Sequence, residues 1–234
     1  MSVLAAEKVR YLSLGVHGLD EVFSGFELGE FVVLYGNAAS SMSFTLAVRS
    51  QLPVEHGRLV SATVFVDGGN LFSPYAVAET ARNCGLEYRA VLNRVYVSRA
   101  FTVYQFSSLI SEKLRSVLKK TRAQLLVVSD ITSLFFDRDL SRTEARELFT
   151  KTCSTLSEIA LEKRAVVVAT YFPERRSRQG LFFEAVLFEK CNVLVRLRRR
   201  GKILNFVLEK HPHARPFNVD FVGNNTVLDG FVEA

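Results

Sequence analysis

The sequence predicts an α/β fold: a mainly parallel, twisted sheet flanked by helices, with antiparallel strands at its C-terminal end. Three observations predict it. Leu125–Val128 and Ala165–Ala169 are short, wholly apolar runs, as in strands buried on both faces. Between such runs lie segments with apolar residues at helical spacing. The alternation continues to Pro173 and points to right-handed βαβ crossovers. Beyond residue 190, two β-favouring runs flank Arg200-Gly201 and read as a hairpin, so the last part of the sheet is expected to be antiparallel.

Each element follows from local pattern. Residues 1–11 form a short lead, and the phrases Leu14–Asp20 and Phe26–Glu30 precede the first strand at Phe31. That strand passes through Gly36-Asn37 and small residues to Ser41-Met42-Ser43. A helix follows with Phe44, Ala47, Val48 and Leu52 on one face. This is the context of a phosphate-binding loop. Laid on GxxxxGK[ST], Gly36 and Ser43 fit, but Ser41 stands for the second glycine and Met42 for the lysine. A thioether cannot replace the cation that reaches the outer phosphates, so the loop reads as a scaffold whose chemistry has been removed.

Leu59–Val66 is the next strand and ends at Asp67-Gly68-Gly69-Asn70. Ser73 caps a helix with Pro74 at its first position, and Gly85 ends it. Val95–Val97 is a short strand. Phe106, Leu109, Ile110, Lys113, Leu114, Val117 and Leu118 then form a helical stripe closed by Lys119 and Lys120. The strand Leu125–Val128 ends at Ser129-Asp130, and Ser141 with Glu144 is a capping box for the next helix. Glu174–Gly180 reads as a basic loop, and Leu181–Phe188 as an apolar stretch in a loop region. Val193–Arg199, Ile203–Lys210, Phe217–Val222 and Thr226–Val232 are the remaining extended segments. With no Pro, Ser or Gly linker and no internal repeat, residues 1–234 read as a single domain.

The 234 residues carry a formal charge of +6, which favours polyanions such as nucleic acid, although many basic proteins bind none. Cys84, Cys153 and Cys191 are odd in number and far apart, which fits a reducing compartment better than disulfides or a zinc site. No run suits a membrane span or a signal peptide, so a cytoplasmic protein is expected. His211 and His213 suggest a metal pair only weakly, and no metal is expected. A hydrolytic triad of Ser43, His17 and Asp20 has no support in spacing.

Five phrases in order carry a resemblance. Leu14–Asp20 is similar to "TGxxxLD", Val66–Pro74 to "IDTEGTFRP" and Val97–Phe101 to "VARAF". Leu125–Asp130 occupies a Walker B strand, and Phe206–His213 is similar to "xxxSPHxP". Over about residues 11–232 the chain resembles the RecA/RadA recombinase superfamily, most closely the archaeal RadA paralogs of the RadB type. The resemblance implies a RecA-like P-loop NTPase core. It also implies three departures from the ATPase machinery: Met42 for the lysine, Gly69 for the activating glutamate, and Ser129 for the Walker B aspartate, with Asp130 one place later. A hydroxyl is a poor substitute for a carboxylate in holding Mg²⁺. The resemblance thus implies a pseudo-ATPase with no required cofactor, and leaves weak ATP or anion binding at Gly36–Ser43 open. The helical DNA-binding domain and polymerisation motif of RadA are not expected ahead of the core.

The loop Glu174–Gly180 stands where these recombinases carry a mobile DNA-binding loop, so Arg175, Arg176 and Arg178 are candidate phosphate contacts. Arg196, Arg198, Arg199, Arg200 and Lys202 form the densest basic cluster. Alternation places Arg196, Arg198 and Arg200 on one strand face, as a polyanion contact or as a charged edge that discourages strand pairing. Phe182 and Phe183 either stack on bases or, the default, pack in the core or on a partner. The expected function is a non-hydrolysing paralog that binds DNA, single-stranded above all, and supports a catalytic RadA-type recombinase in recombination or repair, docking on it or forming a homodimer. The alternative is an interaction module that regulates an active RecA-like or KaiC-like ATPase without DNA.

Overall fold

The computed structural model describes residues 11–16, 18–52, 59–173 and 177–222. A small antiparallel ribbon opens the chain, β1 (Tyr11–Leu12) with β2 (Phe26–Glu27), and the short helix α1 (Leu19–Val22) lies between them. The main sheet is built from β3 (Phe31–Tyr35), β4 (Thr63–Asp67), β5 (Val95–Arg99), β6 (Leu125–Ser129), β7 (Val166–Tyr171), β8 (Val193–Arg200), β9 (Ile203–Lys210) and β10 (Phe217–Val222). Its spatial order is β10-β9-β8-β3-β7-β6-β4-β5. From β5 to β8 every pairing is parallel, and β8, β9 and β10 pair antiparallel.

Helices cover both faces, so the central strands alternate between two apolar cores. Val32 and Leu34, Phe65, Leu125 and Val127, and Val166 and Val168 point into one core. That core lies under α2 (Ala39–Arg49), α3 (Pro74–Asn83) and α4 (Tyr88–Leu92). Phe31 and Val33, Val64 and Val66, Leu126 and Val128, and Val167 and Ala169 point into the other. It is closed by α5 (Val103–Ser108), α6 (Leu114–Thr121), α7 (Arg142–Lys163) and α8 (Arg178–Lys190). Phe135 stands in a 3₁₀ turn after β6 and meets Phe106, Phe149 and Phe183 edge-on at 5.9, 5.0 and 5.9 Å, tying three of these helices together.

The expected caps are present, except that the capping box forms by half: Glu144 Oε1 accepts from Tyr104 Oη at 2.8 Å and does not return to the Ser141 amide. Ser73 Oγ accepts from Ala76 N and Ser141 Oγ from Glu144 N, and Gly85 takes a left-handed φ of +69° at the end of α3. Five expectations need correction. First, β4 begins at Thr63, because Val60 is left-handed at φ 52° and Ser61 N–H turns to Ser50 O. Second, the stripe from Phe106 to Leu118 lies on two α-helices joined by a π turn over Leu109–Lys113. Its buried residues Phe106, Ile110, Leu114 and Leu118 recur every four positions, a step that outruns the 3.6-residue turn, and one wider turn absorbs the drift. Third, Lys113 is exposed there and lies off the stripe. Fourth, the segment Arg178–Lys190 is a helix: Ser177 caps it by accepting from Gly180 N, so Arg178, Gly180 and the apolar run Leu181–Phe188 belong to α8. Fifth, α2 begins at Ala39 and ends at Arg49, so Leu52 lies beyond it. The lead over residues 1–10 and the strand expected at Thr226–Val232 lie outside the described residues.

Candidate functional site

The strands β3, β4, β6 and β7 all end on one edge of the sheet, where a ligand site is expected in an open α/β fold. At the end of β3, Gly36 takes φ +104°, and a Cβ there would stand 2.2 Å from Leu197 O of β8. Only glycine permits that approach. Asn37 then reaches β8: its Nδ2 donates to Arg199 O at 3.0 Å, and its Oδ1 accepts from Arg199 N at 2.7 Å. Ala38 N donates to Leu197 O at 3.4 Å.

A loop that cradles phosphate keeps its N–H groups turned into a shared concavity. Here α2 has wound back to Ala39, and Met42 N donates to Ala38 O at 3.1 Å. The hydroxyls are also engaged, Ser41 Oγ with Ala38 O at 3.0 Å and Ser43 Oγ with Ser40 O at 2.7 Å. Met42 has no exposed surface and packs in the core with Leu34 and Phe44.

Asp67, at the end of β4, organises the neighbouring strand ends, a role that sequence reading missed. It is fully buried. Its Oδ1 accepts from Leu71 N and from Ser129 Oγ, each at 2.9 Å, and its Oδ2 accepts from Phe72 N at 3.1 Å and Arg99 Nε at 3.1 Å. Arg99 pairs with it again through a terminal guanidinium nitrogen at 3.0 Å. β4, β5 and β6 are thus joined through one carboxylate. The available signal was a carboxylate ending the run Val64-Phe65-Val66, since a charge beside a buried strand requires donors.

Asp130 follows Ser129 at φ 43°, its N–H donating to Thr170 Oγ1 at 2.9 Å. Its side chain turns over Gly69: a Cβ on Gly69 would meet Asp130 Cβ at 2.7 Å and Oδ2 at 3.0 Å. A larger residue at 69 requires Asp130 to move. Gly69 and Asp130 therefore constrain each other: the missing side chain at 69 leaves the space that the Asp130 carboxyl occupies.

The basic cluster divides between two faces of β8. Arg196, Arg198 and Arg200 share one face, while Arg199 follows Leu197 on the other. Helices leave the first face uncovered along the strand ends. Arg196, Arg198, Arg200, Ile203, Asn205 and Asp220 line a hollow of about 280 Å³ there. Arg198 and Arg200 are exposed, and Lys202 is exposed in the hairpin turn. Arg196 is half-buried. Its Nε lies 3.4 Å from Glu209 Oε1, and Tyr35 Oη donates to the same carboxylate at 2.7 and 2.8 Å. Burial, then Glu209, pushes the Tyr35 phenol far up, so it stays a donor. Arg178 is exposed at the first position of α8, and Arg175 and Arg176 lie outside the described residues. Phe183 is buried in the core, and Phe182 is stacked under the Arg146 guanidinium at 4.6 Å.

Two further polar groups are structural. Arg49, buried at the end of α2, donates from Nε to Ser13 O at 3.0 Å and from its terminal nitrogen to Ser13 Oγ at 2.7 Å. It lies so close to Gly15 that a Cβ there would overlap the guanidinium. Asp20 accepts from Ser13 Oγ at 2.8 Å, which places Asp20 in the packing of the phrase Leu14–Asp20; His17 lies outside the described residues. His211 Nδ1 accepts from His213 N and Ala214 N, each at 3.0 Å, and His211 Nε2 faces Glu30 Oε1 at 3.4 Å. Among the described residues no cluster of His, Cys, Asp or Glu could hold a metal ion, and no helix is long and apolar enough to cross a membrane.

A glycine turn from the central strand into a helix, helices on both faces of a parallel sheet and an antiparallel C-terminal edge define a RecA-like core. Within that class, the Rad51 family model matches residues 6–180, and the chain belongs to the Rad51 family. Among curated relatives, DNA repair protein RAD51 homolog B of Zea mays is 30% identical over 178 residues, 72% of this chain and 52% of that protein. The chain therefore spans about half the length of this relative. The arginines of β8 lie beyond the span of the family match.

Proposed function

We propose that this chain is a non-hydrolysing member of the Rad51 family that contacts single-stranded DNA through the open face of β8–β10 and assists a catalytic recombinase in recombination or repair. The observation that carries the reading is the row Arg196, Arg198 and Arg200 on one strand face, with Arg198 and Arg200 exposed and Arg196 half-buried against Glu209 at its inner end. Alternate residues along a strand stand roughly 6.6 Å apart, so the row offers cations at regular intervals to a polyanion without reading bases. Arg178 and Lys202, both exposed, add positive charge in this reading, and Arg175 and Arg176 stay candidates from the sequence alone. The family membership supports the recombination setting.

The absence of hydrolysis is supported by the strand ends. A magnesium nucleotide needs a lysine near the outer phosphates and a carboxylate that can share the metal. Met42 is sealed in the core, Ser43 is fully buried with its hydroxyl turned back to Ser40 O, and Asp67 is filled by Arg99, Ser129 and two main-chain N–H groups. These residues do not fit the group as they stand. The test is a titration with single- and double-stranded DNA across salt, beside ATP turnover with and without DNA. Tighter, salt-dependent binding of the single strand and no turnover are expected. Turnover abolished by Asp130→Ala would overturn the reading.

A second reading rests on β5, the edge strand of the described sheet. Tyr96 and Val97 on it, and Phe101 just after it, are exposed. An open edge with apolar side chains suits strand addition by a RecA-like partner or a second copy. Retention of partner capture after Arg198 and Arg200 are changed to alanine would favour it.

A further inference from the structure

We propose that Asn37 is a positioning residue for the arginine strand: the former phosphate loop is fastened to β8 and sets where Arg198 and Arg200 stand. The inference rests on the polyanion reading of that face. The parallel ladder between β3 and β8 ends at the pair Tyr35 and Arg196. Beyond it β8 runs on for four residues, to Arg200, and among the described residues β9 is the one strand paired with them, while on the other side Ala38 N–H reaches Leu197 O at 3.4 Å.

Asn37 supplies the rest of that side. Its amide presents a donor and an acceptor together, and they meet the C=O and N–H of Arg199 at 3.0 and 2.7 Å. One side chain thus imitates a further residue of β3. Among short side chains the carboxamide offers both functions at once; Asp lacks the donor and Ser is too short to span both. Gly36 makes the reach possible, because its backbone lies against Leu197 O where no Cβ fits. Arg199 stands between Arg198 and Arg200, so fixing its peptide groups on both sides fixes the outward direction of its two neighbours. In this arrangement the strand is set by the protein itself, and its placement is independent of nucleotide.

The experiment compares the full chain with Asn37→Ala, Asn37→Asp and the double variant Arg198→Ala/Arg200→Ala. Binding of a fluorescein-labelled oligodeoxythymidine is read across salt, together with hydrogen exchange at the Arg199 amide. Asn37→Ala is expected to lose protection at Arg199 and to weaken binding about five-fold, the scale of one net hydrogen bond. The salt slope stays unchanged because every arginine is still present. Asn37→Asp keeps the acceptor for Arg199 N–H and is expected to keep that protection. Unchanged affinity in Asn37→Ala, with affinity lost in the double arginine variant, overturns the positioning role alone. Unchanged affinity in the arginine variant overturns both this role and the DNA reading. ATP or ADP restoring the affinity of Asn37→Ala would also overturn it.

Discussion

The ends of β3, β4 and β6 and the open face of β8–β10 are neighbours, and they treat polar groups in opposite ways. At the strand ends Asp67, Ser129, Ser41 and Ser43 each find partners inside the protein, and Met42 has no exposed surface. On the open face Arg198, Arg200 and Lys202 project into solvent. Both regions use the same strand edge of the sheet. The difference teaches that, along one end of a sheet, polar groups can be used up inside the fold on some strands and left to solvent on their neighbours. Asn37 is the joint between the two, since it belongs to the closed loop and bonds the open strand.

The largest test removes the centre of the closed region. Asp67→Ala leaves the Arg99 guanidinium, the Ser129 hydroxyl and the Leu71 and Phe72 amides without their acceptor. Loss of about 4–5 kcal/mol is expected, near the top of the range for breaking a buried charged network, and urea unfolding measures it. Met42→Lys restores the letter that a phosphate loop requires and places an ammonium in the apolar core. Depressing a lysine by at least about 3 pKa units corresponds to about 4 kcal/mol. A variant as stable as the parent that also turns over ATP would dissolve the contrast between the two regions.

Much of this arrangement is legible in the sequence, and the boundary of what is legible has a physical cause. Strand identity follows from apolar runs, and helix starts from Ser73 and Ser141, because these signals are local. The α8 helix was obscured because its capping Ser177 sits inside a run of arginines that reads as a loop. The letters at 42, 69 and 129 carry the expectation of a broken ATPase pattern, and they do so only through the resemblance. That Gly69 makes room for Asp130 depends on two strands meeting, a contact that no spacing rule records. Asn37 was legible only as a loop residue, since its partner is 162 positions away. Asp67 and Arg49 were missed for the same reason: both are charges neutralised by groups distant in the chain.

Stability comparisons between variants must be made at fixed pH, because a buried pair outside both regions titrates. Burial raises Glu30 from 4.5 to about 7 and holds His211 below its ordinary imidazole value. The folded state binds the Glu30 proton more tightly than the unfolded chain. Its contribution is therefore full below about pH 4.5 and is lost as pH rises through about 7. The fall amounts to at most roughly 3 kcal/mol. His211 acts in the opposite sense, losing stability as pH falls through the imidazole range. Glu30→Gln is expected to remove the decline at high pH and leave the His211 effect, as read by urea unfolding at several pH values.

Gly36→Ala tests the joint itself. The φ of +104° and the overlap with Leu197 O predict a loss of about 1–3 kcal/mol, smaller than at Asp67 because the loop can shift outward. Such a shift would also carry Asn37 away from Arg199, so DNA affinity should fall together with stability. An affinity that stays constant while stability drops would show that the closed loop and the open face are independent.

The smallest expected effect in free energy separates the open face from a generic basic surface. Each phosphate contact on a single strand contributes about 0.7 to the slope of log affinity against log salt. If Arg198 and Arg200 each neutralise one phosphate, replacing both with alanine should flatten the slope by about 1.4, while Met42→Ala should weaken the fold and leave the slope alone. On the proposed reading the two regions differ in the kind of quantity they control: the closed edge sets how stable the sheet is, and the open face would set how many counterions leave when DNA arrives. A double arginine variant that weakens binding with an unchanged slope would mean that those side chains shape the surface without touching phosphate. The phosphate contacts would then have to be sought near Arg178, at the start of α8 on the same edge of the sheet.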